Sequence, residues 1–353
     1  MLKLRRGTVV STEPLTVRVS EAERRAWADV GLVGEVREGD EVIVNTEALD
    51  LELGSGGFDV VHANLTRGLE GDGAAGAHVI KLNYTSLQHP VEPVEVPYAA
   101  GAEVTSRIPV LVLFLHGQLA PAAWAAARAA PGSRIGFVQT AGAALPAALS
   151  RDVAELRERD LLCGSVSAGQ AFGGEREAIS VVGALHAAAE ALGWDAAIVG
   201  PGPGILGSAS HFGHGGMAAL DSAHAALALG LETLVAPRLS SGDERPRHRG
   251  LSHHAETVLR LLLSSVRVPV PEVSEEEWPT GDGAGGTPLD ALHRVCDGRH
   301  DVWVRDAQLD EYAASGLPTR TMGRELAEDR LFFAAALAAG GALAELAAGE
   351  GSG

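Results

Sequence analysis

The strongest constraint on this chain is the unbroken apolar run Ile108-Pro109-Val110-Leu111-Val112-Leu113-Phe114-Leu115, which opens an alternation of strand-like and helix-like segments. A strand covered by helices on both faces has no reason to alternate polar and apolar residues, so it reads as a continuous hydrophobic run. Further short strand-like stretches follow at helix-sized intervals, at 134–138, 164–167, 196–199 and 232–235, with a later one at 300–304. Between them the segments 145–159, 176–192 and 216–229 are Ala-rich with helical apolar spacing. This rhythm predicts right-handed βαβ units and an α/β fold built on a doubly wound, mostly parallel, Rossmann-like sheet.

The first part of the chain has another character. Thr8-Val9-Val10, Thr16-Val17-Arg18-Val19, Glu41-Val42-Ile43-Val44 and Phe58-Asp59-Val60-Val61 are short β-branched runs separated by Gly and Asp turns. They predict a small β-rich, barrel-like domain over 1–96, a linker over 97–107, and the α/β domain over 108–353. Within the latter, the Pro-, Gly- and Glu-rich stretch 271–288 reads as an acidic surface loop, and the chain closes on a helix. That last segment, 331–348, is long and apolar, yet it is mostly Ala and Gly and carries Glu345, which predicts a buried amphipathic helix and not a membrane span.

Charge and cysteine content exclude whole classes. A net charge of -18 argues against nucleic acid or an anionic membrane as partner. Lys3 and Lys81 are the only lysines, and neither follows a Gly-rich loop, so no phosphate-binding G-x-x-x-x-G-K motif exists. Cys163 and Cys296 are far apart and belong to no C-x-x-C pair, which fits a reducing compartment; with no apolar leader after Met1, a cytoplasmic location is expected.

Candidate chemistry gathers in the segments that follow the predicted strands, where open α/β sheets bind ligands. His116 follows the first strand, Gly173, Gly174 and Glu175 the third, and Ser208 closes the loop after the fourth. Gly202, Gly204 and Gly207 spell G-x-G-x-x-G, but Pro203 interrupts it and the strand is a late one. A backbone-amide nest for an anion, or close packing of loop on sheet, is the better reading than a dinucleotide site. No cofactor is specified by any motif. His211, His214 and His254 are metal candidates, although H-x-x-H occurs here without H-E-x-x-H.

The densest feature is Arg245-Pro246-Arg247-His248-Arg249-Gly250-Leu251-Ser252-His253-His254, with Arg238 shortly before it. Forked guanidinium donors beside a helix start suit an anionic ligand, and Ser252 stands where it would cap that helix. Together with Val44-Asn45-Thr46, Leu53-Gly54-Ser55-Gly56-Gly57, Ala63-Asn64-Leu65, Gly169-Gln170-Ala171-Phe172-Gly173-Gly174 and Gly202-Pro203-Gly204, this run resembles the bacterial domain-of-unknown-function family 3866 over nearly the whole chain. The resemblance implies no activity. Gln170 and Glu175 stand where the family pattern has His and Asp, and Ser55 where it has Thr.

The residues thus predict a protein that binds or acts on a small anionic ligand, phosphorylated ones included. Arg238, Arg247, Arg249 and Ser252 would hold it with the glycine loops at 173–174 and 202–207. His248 or His253 would exchange protons, oriented by Glu175. Two other classes stay open: an interaction or regulatory protein using the N-terminal β domain, and a His-dependent metal hydrolase; assembly as a homo-oligomer is open for each.

Overall fold

In the computed structural model, residues 1–53, 56–71, 73–208, 210–272 and 287–349 are described. Two compact units emerge, Met1–Glu92 and Pro93–Gly353.

In the first unit, strands β1 (Leu4–Thr12), β2 (Leu15–Val19), β3 (Ala22–Trp27), β4 (Glu41–Asn45) and β5 (Asp59–Asn64) close a barrel in the order β1-β2-β3-β5-β4. Short helices α1 (Val30–Val33) and α2 (Glu47–Asp50) interrupt it, and a hairpin of β6 (Val79–Lys81) and β7 (His89–Val91) follows. The period of two decides which side chains go inside: Val17 and Val19 join Val9, Val42, Val44 and Val61 in the core, while Arg18 points out to Glu23. Strand β3 reads Ala-Glu-Arg-Arg-Ala-Trp and has no strand signal of its own. It is held by pairing with β2 and, in parallel, with β5.

The second unit carries β8 (Val110–Val112), α3 (Leu119–Ala129), β9 (Ile135–Thr140), α4 (Arg151–Glu158), β10 (Gly164–Ala168), β11 (Arg176–Ala178), α5 (Val181–Glu190), β12 (Ala196–Pro201), α6 (Ala218–Ala228) and β13 (Thr233–Val235). After β13 come a small hairpin, β14 (Leu239–Ser240) with β15 (Gly250–Leu251), then α7 (His253–Leu261), β16 (Arg267–Pro271), α8 (Pro288–Cys296) and β17 (Asp301–Arg305). The chain ends with α9 (Leu309–Ala313), a hairpin of β18 (Arg320–Thr321) and β19 (Arg324–Glu325), and α10 (Arg330–Ala347).

Eight strands form one parallel sheet in the order β11-β10-β9-β12-β8-β13-β16-β17. From β8 the chain winds outward to β11, returns through β12, and then winds the other way to β17. The reversal of winding at the central strands opens a crevice beyond their carboxyl ends, which is where such sheets place ligands.

Two elements differ from the sequence expectation. The helix expected at 176–192 begins only at Val181, where the Ser180 hydroxyl accepts from the Gly183 N–H; Arg176–Ala178 instead pairs with β10 as the edge strand. Strand β16, Arg-Val-Pro-Val-Pro, was hidden by its prolines, which cannot donate to a ladder. Residues of the expected 97–107 linker make contacts inside the second unit: Glu190 accepts from the Thr105 and Ser106 N–H groups at 2.7 and 2.8 Å. Within the expected Leu53–Gly57 turn, Gly54 and Ser55 lie outside the described residues, as do residues 273–286 of the expected acidic loop.

Helix α10 is long and apolar enough to cross a membrane, but 72% of it is buried inside the protein. It packs along α3 so closely that a Cβ at Gly340 would overlap the Ala122 carbonyl. Small residues on both helices permit that approach, and α10 is buried nearly all round instead of showing one apolar face.

Candidate functional site

The segment between β13 and α7 builds the site. Immediately after β13, Arg238 turns inward and is only 1% exposed. Its backbone carbonyl accepts from the Ser252 N–H, which holds the two ends of the β14–β15 hairpin together. At the hairpin tip a 3₁₀ turn, Pro246–His248, sends His248 back inside. Ser252 then caps α7, accepting from the His254 N–H, and its hydroxyl shares a 2.8 Å hydrogen bond with His248 Nδ1.

Around Arg238 lies a network of charges. Arg238, Arg245 and Arg324 converge on the single buried carboxylate of Asp243, at 3.3, 2.8 and 3.5 Å. Asp329, wholly buried, receives Arg324 Nε at 3.0 Å, the Ser240 hydroxyl at 2.7 Å and the Ser241 N–H at 2.8 Å, and so fixes the loop that carries Asp243. Burial works against ionisation of Asp243, but the hydrogen bonds and charge of Arg245, together with the charge of Arg324, hold the carboxyl well below its usual range. Burial lowers Arg238 to about 10, still charged at neutral pH.

A cavity of about 730 Å³ opens beside this network. Ile205, Leu206, Gly207 and Ser208 from the loop after β12 form one wall, and Arg247, His248 and His254 another. Among the described residues the Arg247 guanidinium is exposed to solvent and forms no ion pair.

At this wall four imidazoles cluster, two of them, His248 and His254, lining the cavity. The rings of His214 and His254 stack 3.7 Å apart, His253 and His254 lie 4.4 Å apart, and His248 sits 4.8 Å from both His253 and His254. Burial, reinforced by the Arg238 charge, lowers His248 to about 3 and His254 to about 2; burial also lowers His214 and His253. All four are neutral at physiological pH, and a neutral imidazole has a lone pair to offer a proton or a metal. Nitrogen atoms of His214, His253 and His254 lie within 4.8 Å of one another.

The structure therefore brings together Arg238, Arg247, His248, Ser252, His253 and His254 with Gly207 and Ser208. Others stand apart. Glu175 was expected to orient an imidazole; it instead pairs with Arg157 at 2.5 Å, next to the edge strand β11, because the third loop ends on the far side of the sheet from β13. Gly173 and Gly174 are there too, the former donating to Glu177 at 2.7 Å. Gly202 packs against Gln139 and the Ala144 carbonyl, and Gly204 takes a positive φ of 72° in the same loop; neither lines the cavity. Arg249 is exposed outside it, and the His211 ring is exposed while its carbonyl serves His214. His116 is spoken for: Nδ1 donates to the Pro201 carbonyl at 3.0 Å, and Nε2 faces the Ser150 hydroxyl at 2.7 Å.

Sequence reasoning missed Asp243, Arg324 and Asp329. Asp243 had a faint signal in the turn Ser241-Gly242-Asp243. Arg324, in strand β19, and Asp329, at the start of α10, arrive from more than eighty residues downstream in the chain, and nothing local announces them.

Fold and site define a doubly wound α/β protein with an N-terminal closed barrel and an arginine- and histidine-lined cavity beyond its central strands. The family described as "Protein of unknown function (DUF3866)" matches residues 25–340, and the chain belongs to that family. No curated protein and no solved structure matches it.

Proposed function

We propose that this protein binds a small anionic ligand, bearing a phosphate or carboxylate group, in the cavity lined by Arg238, Arg245, Arg247 and Arg324. The observation that carries the reading is the convergence of guanidinium groups at the cavity, where three arginines share the buried Asp243 carboxylate. Asp329 compensates Arg324, while Arg247, exposed on the cavity wall, forms no ion pair among the described residues; Glu244 and Glu328 also line the cavity. An incoming anion would be met by forked, charge-assisted hydrogen bonds from the guanidinium groups that line the cavity. A volume of about 730 Å³ suits a small metabolite and not a macromolecule. The absence of a disulfide between Cys163 and Cys296 is compatible with a cytoplasmic setting, which we include in the proposal.

Thermal-shift and calorimetric titration with inorganic phosphate, phosphate monoesters and small carboxylates tests this directly. A ligand that prefers the native state raises its midpoint, and Arg247→Ala should weaken that ligand about tenfold, the cost of roughly one charge-assisted contact. No stabilisation by any of the three classes, or equal binding by wild type and Arg247→Ala, would remove the proposal.

A further inference from the structure

Among the described residues, three buried imidazole nitrogen atoms next to the cavity have no hydrogen-bond partner: His214 Nδ1, His253 Nδ1 and His253 Nε2. Buried polar atoms are nearly always satisfied, so a group of orphans in one place points to a ligand. Their chemistry narrows which one. His214 Nε2 donates to the His211 carbonyl at 2.9 Å, so Nδ1 carries the lone pair, as in a metal-binding imidazole whose other nitrogen is anchored by a carbonyl. Gly216 leaves room beside that atom; a Cβ there would stand 3.0 Å from His214 Nδ1 and 3.2 Å from His254 Nδ1.

We propose that His214, His253 and His254 hold a divalent transition-metal ion, with an open position facing the arginine cavity. An all-imidazole set suits zinc, cobalt, nickel or iron and not the hard, oxygen-seeking magnesium or calcium. Three protein ligands leave a coordination site for an exogenous one. Two adjustments accompany loading. The parallel rings of His214 and His254 cannot both point a lone pair in-plane at one ion, so one ring turns. Arg238, which donates to His254 Nδ1 at 3.1 Å, gives up that nitrogen. A guanidinium beside a dication is unfavourable unless an anion lies between them, so metal and anion bind cooperatively. That coupling rests on the anion reading above; the metal site itself does not.

The test uses the full chain, stripped with a chelator and titrated with Co²⁺ with and without inorganic phosphate. Expected are one ion per chain, visible ligand-field bands from imidazole coordination, and several-fold tighter cobalt binding with phosphate present, matched by tighter phosphate binding with cobalt present. His253→Ala, in a half-buried position, should lose at least about tenfold in cobalt affinity while keeping its metal-free thermal midpoint. His214→Gln, which keeps a polar group, provides a second check should His253→Ala be unstable. Equal cobalt uptake by wild type and both variants would overturn the metal site. Phosphate stabilisation without cobalt uptake would overturn it too, and leave the anion reading standing. Cobalt uptake that is lost in His253→Ala but indifferent to phosphate would keep the metal and overturn the coupling.

Discussion

Arg238 donates from Nη1 to His254 Nδ1 across 3.1 Å, so a permanently charged side chain fixes which nitrogen of a buried neutral histidine can carry the proton. The same guanidinium reaches Asp243 through Nη2 at 3.3 Å. One residue thus joins the carboxylate network to the imidazole cluster, and a change at either end reaches the other through it.

Asp243→Asn should expose the charge balance of the cavity. Removing the carboxylate leaves three arginines facing one another, and a loss of roughly 2–3 kcal/mol is expected for breaking a buried network whose Arg245 member is partly in water. Inorganic phosphate should then raise the thermal midpoint of Asp243→Asn by more than it raises that of the wild type. An equal or smaller shift would mean that the arginines do not present their excess charge to the cavity.

The barrel should show acid sensitivity through Asp40. Hydrogen bonds from Arg67, with Asn64 and the Arg37 N–H adding to them, hold this buried carboxyl well below its usual range. A depressed native pKa contributes stability that is complete above the unfolded value of about 3.9 and is lost as pH falls below it. Asp40→Asn should cost about 2 kcal/mol at neutral pH and narrow its gap to wild type on acidification below about pH 4. Chemical unfolding across that range supplies the comparison; a gap independent of pH would contradict the assignment.

Gly340→Ala should loosen α10 from α3. The added methyl must push away the Ala122 carbonyl, a backbone group that cannot rotate aside, and overpacking of this kind costs roughly 1–3 kcal/mol. Gly341, with nothing within 4 Å of its would-be Cβ, is the matched control, and Gly341→Ala should be neutral or mildly stabilising. Similar midpoints for the two variants would refute the close contact.

Glu175→Gln should leave anion binding unchanged. Its partner is Arg157 and both side chains are substantially exposed, so the substitution should shift stability by less than about 0.5 kcal/mol. A measurable loss of phosphate affinity would restore the role that the sequence suggested for it.

Much of the architecture is legible in the sequence. The apolar run around Val110–Val112 announced a strand covered on both faces, and the alternation of valines around Arg18 announced the barrel wall. Local signals failed where a neighbour supplied the reason for the conformation. Strand β3, rich in Arg, and strand β16, rich in Pro, owe their extended form to the strands beside them. The helix expected to open at Arg176 lost its first residues to pairing with β10.

The sequence by itself determined the alternation of strand and helix, the clustering of Arg238 and 245–254 after one strand, and the capping of α7 by Ser252, because each depends on residues a few positions apart. Only the tertiary structure decided which strand ends are neighbours. It put Glu175 at one edge of the sheet and His248 near the reversal of winding, and it carried Arg324 from a distant hairpin to Asp243 and Asp329 from the start of α10 to the loop at Ser240 and Ser241. Strand order follows from how helices bury their apolar faces against the whole sheet, a balance summed over the entire unit. No short stretch of chain contains it.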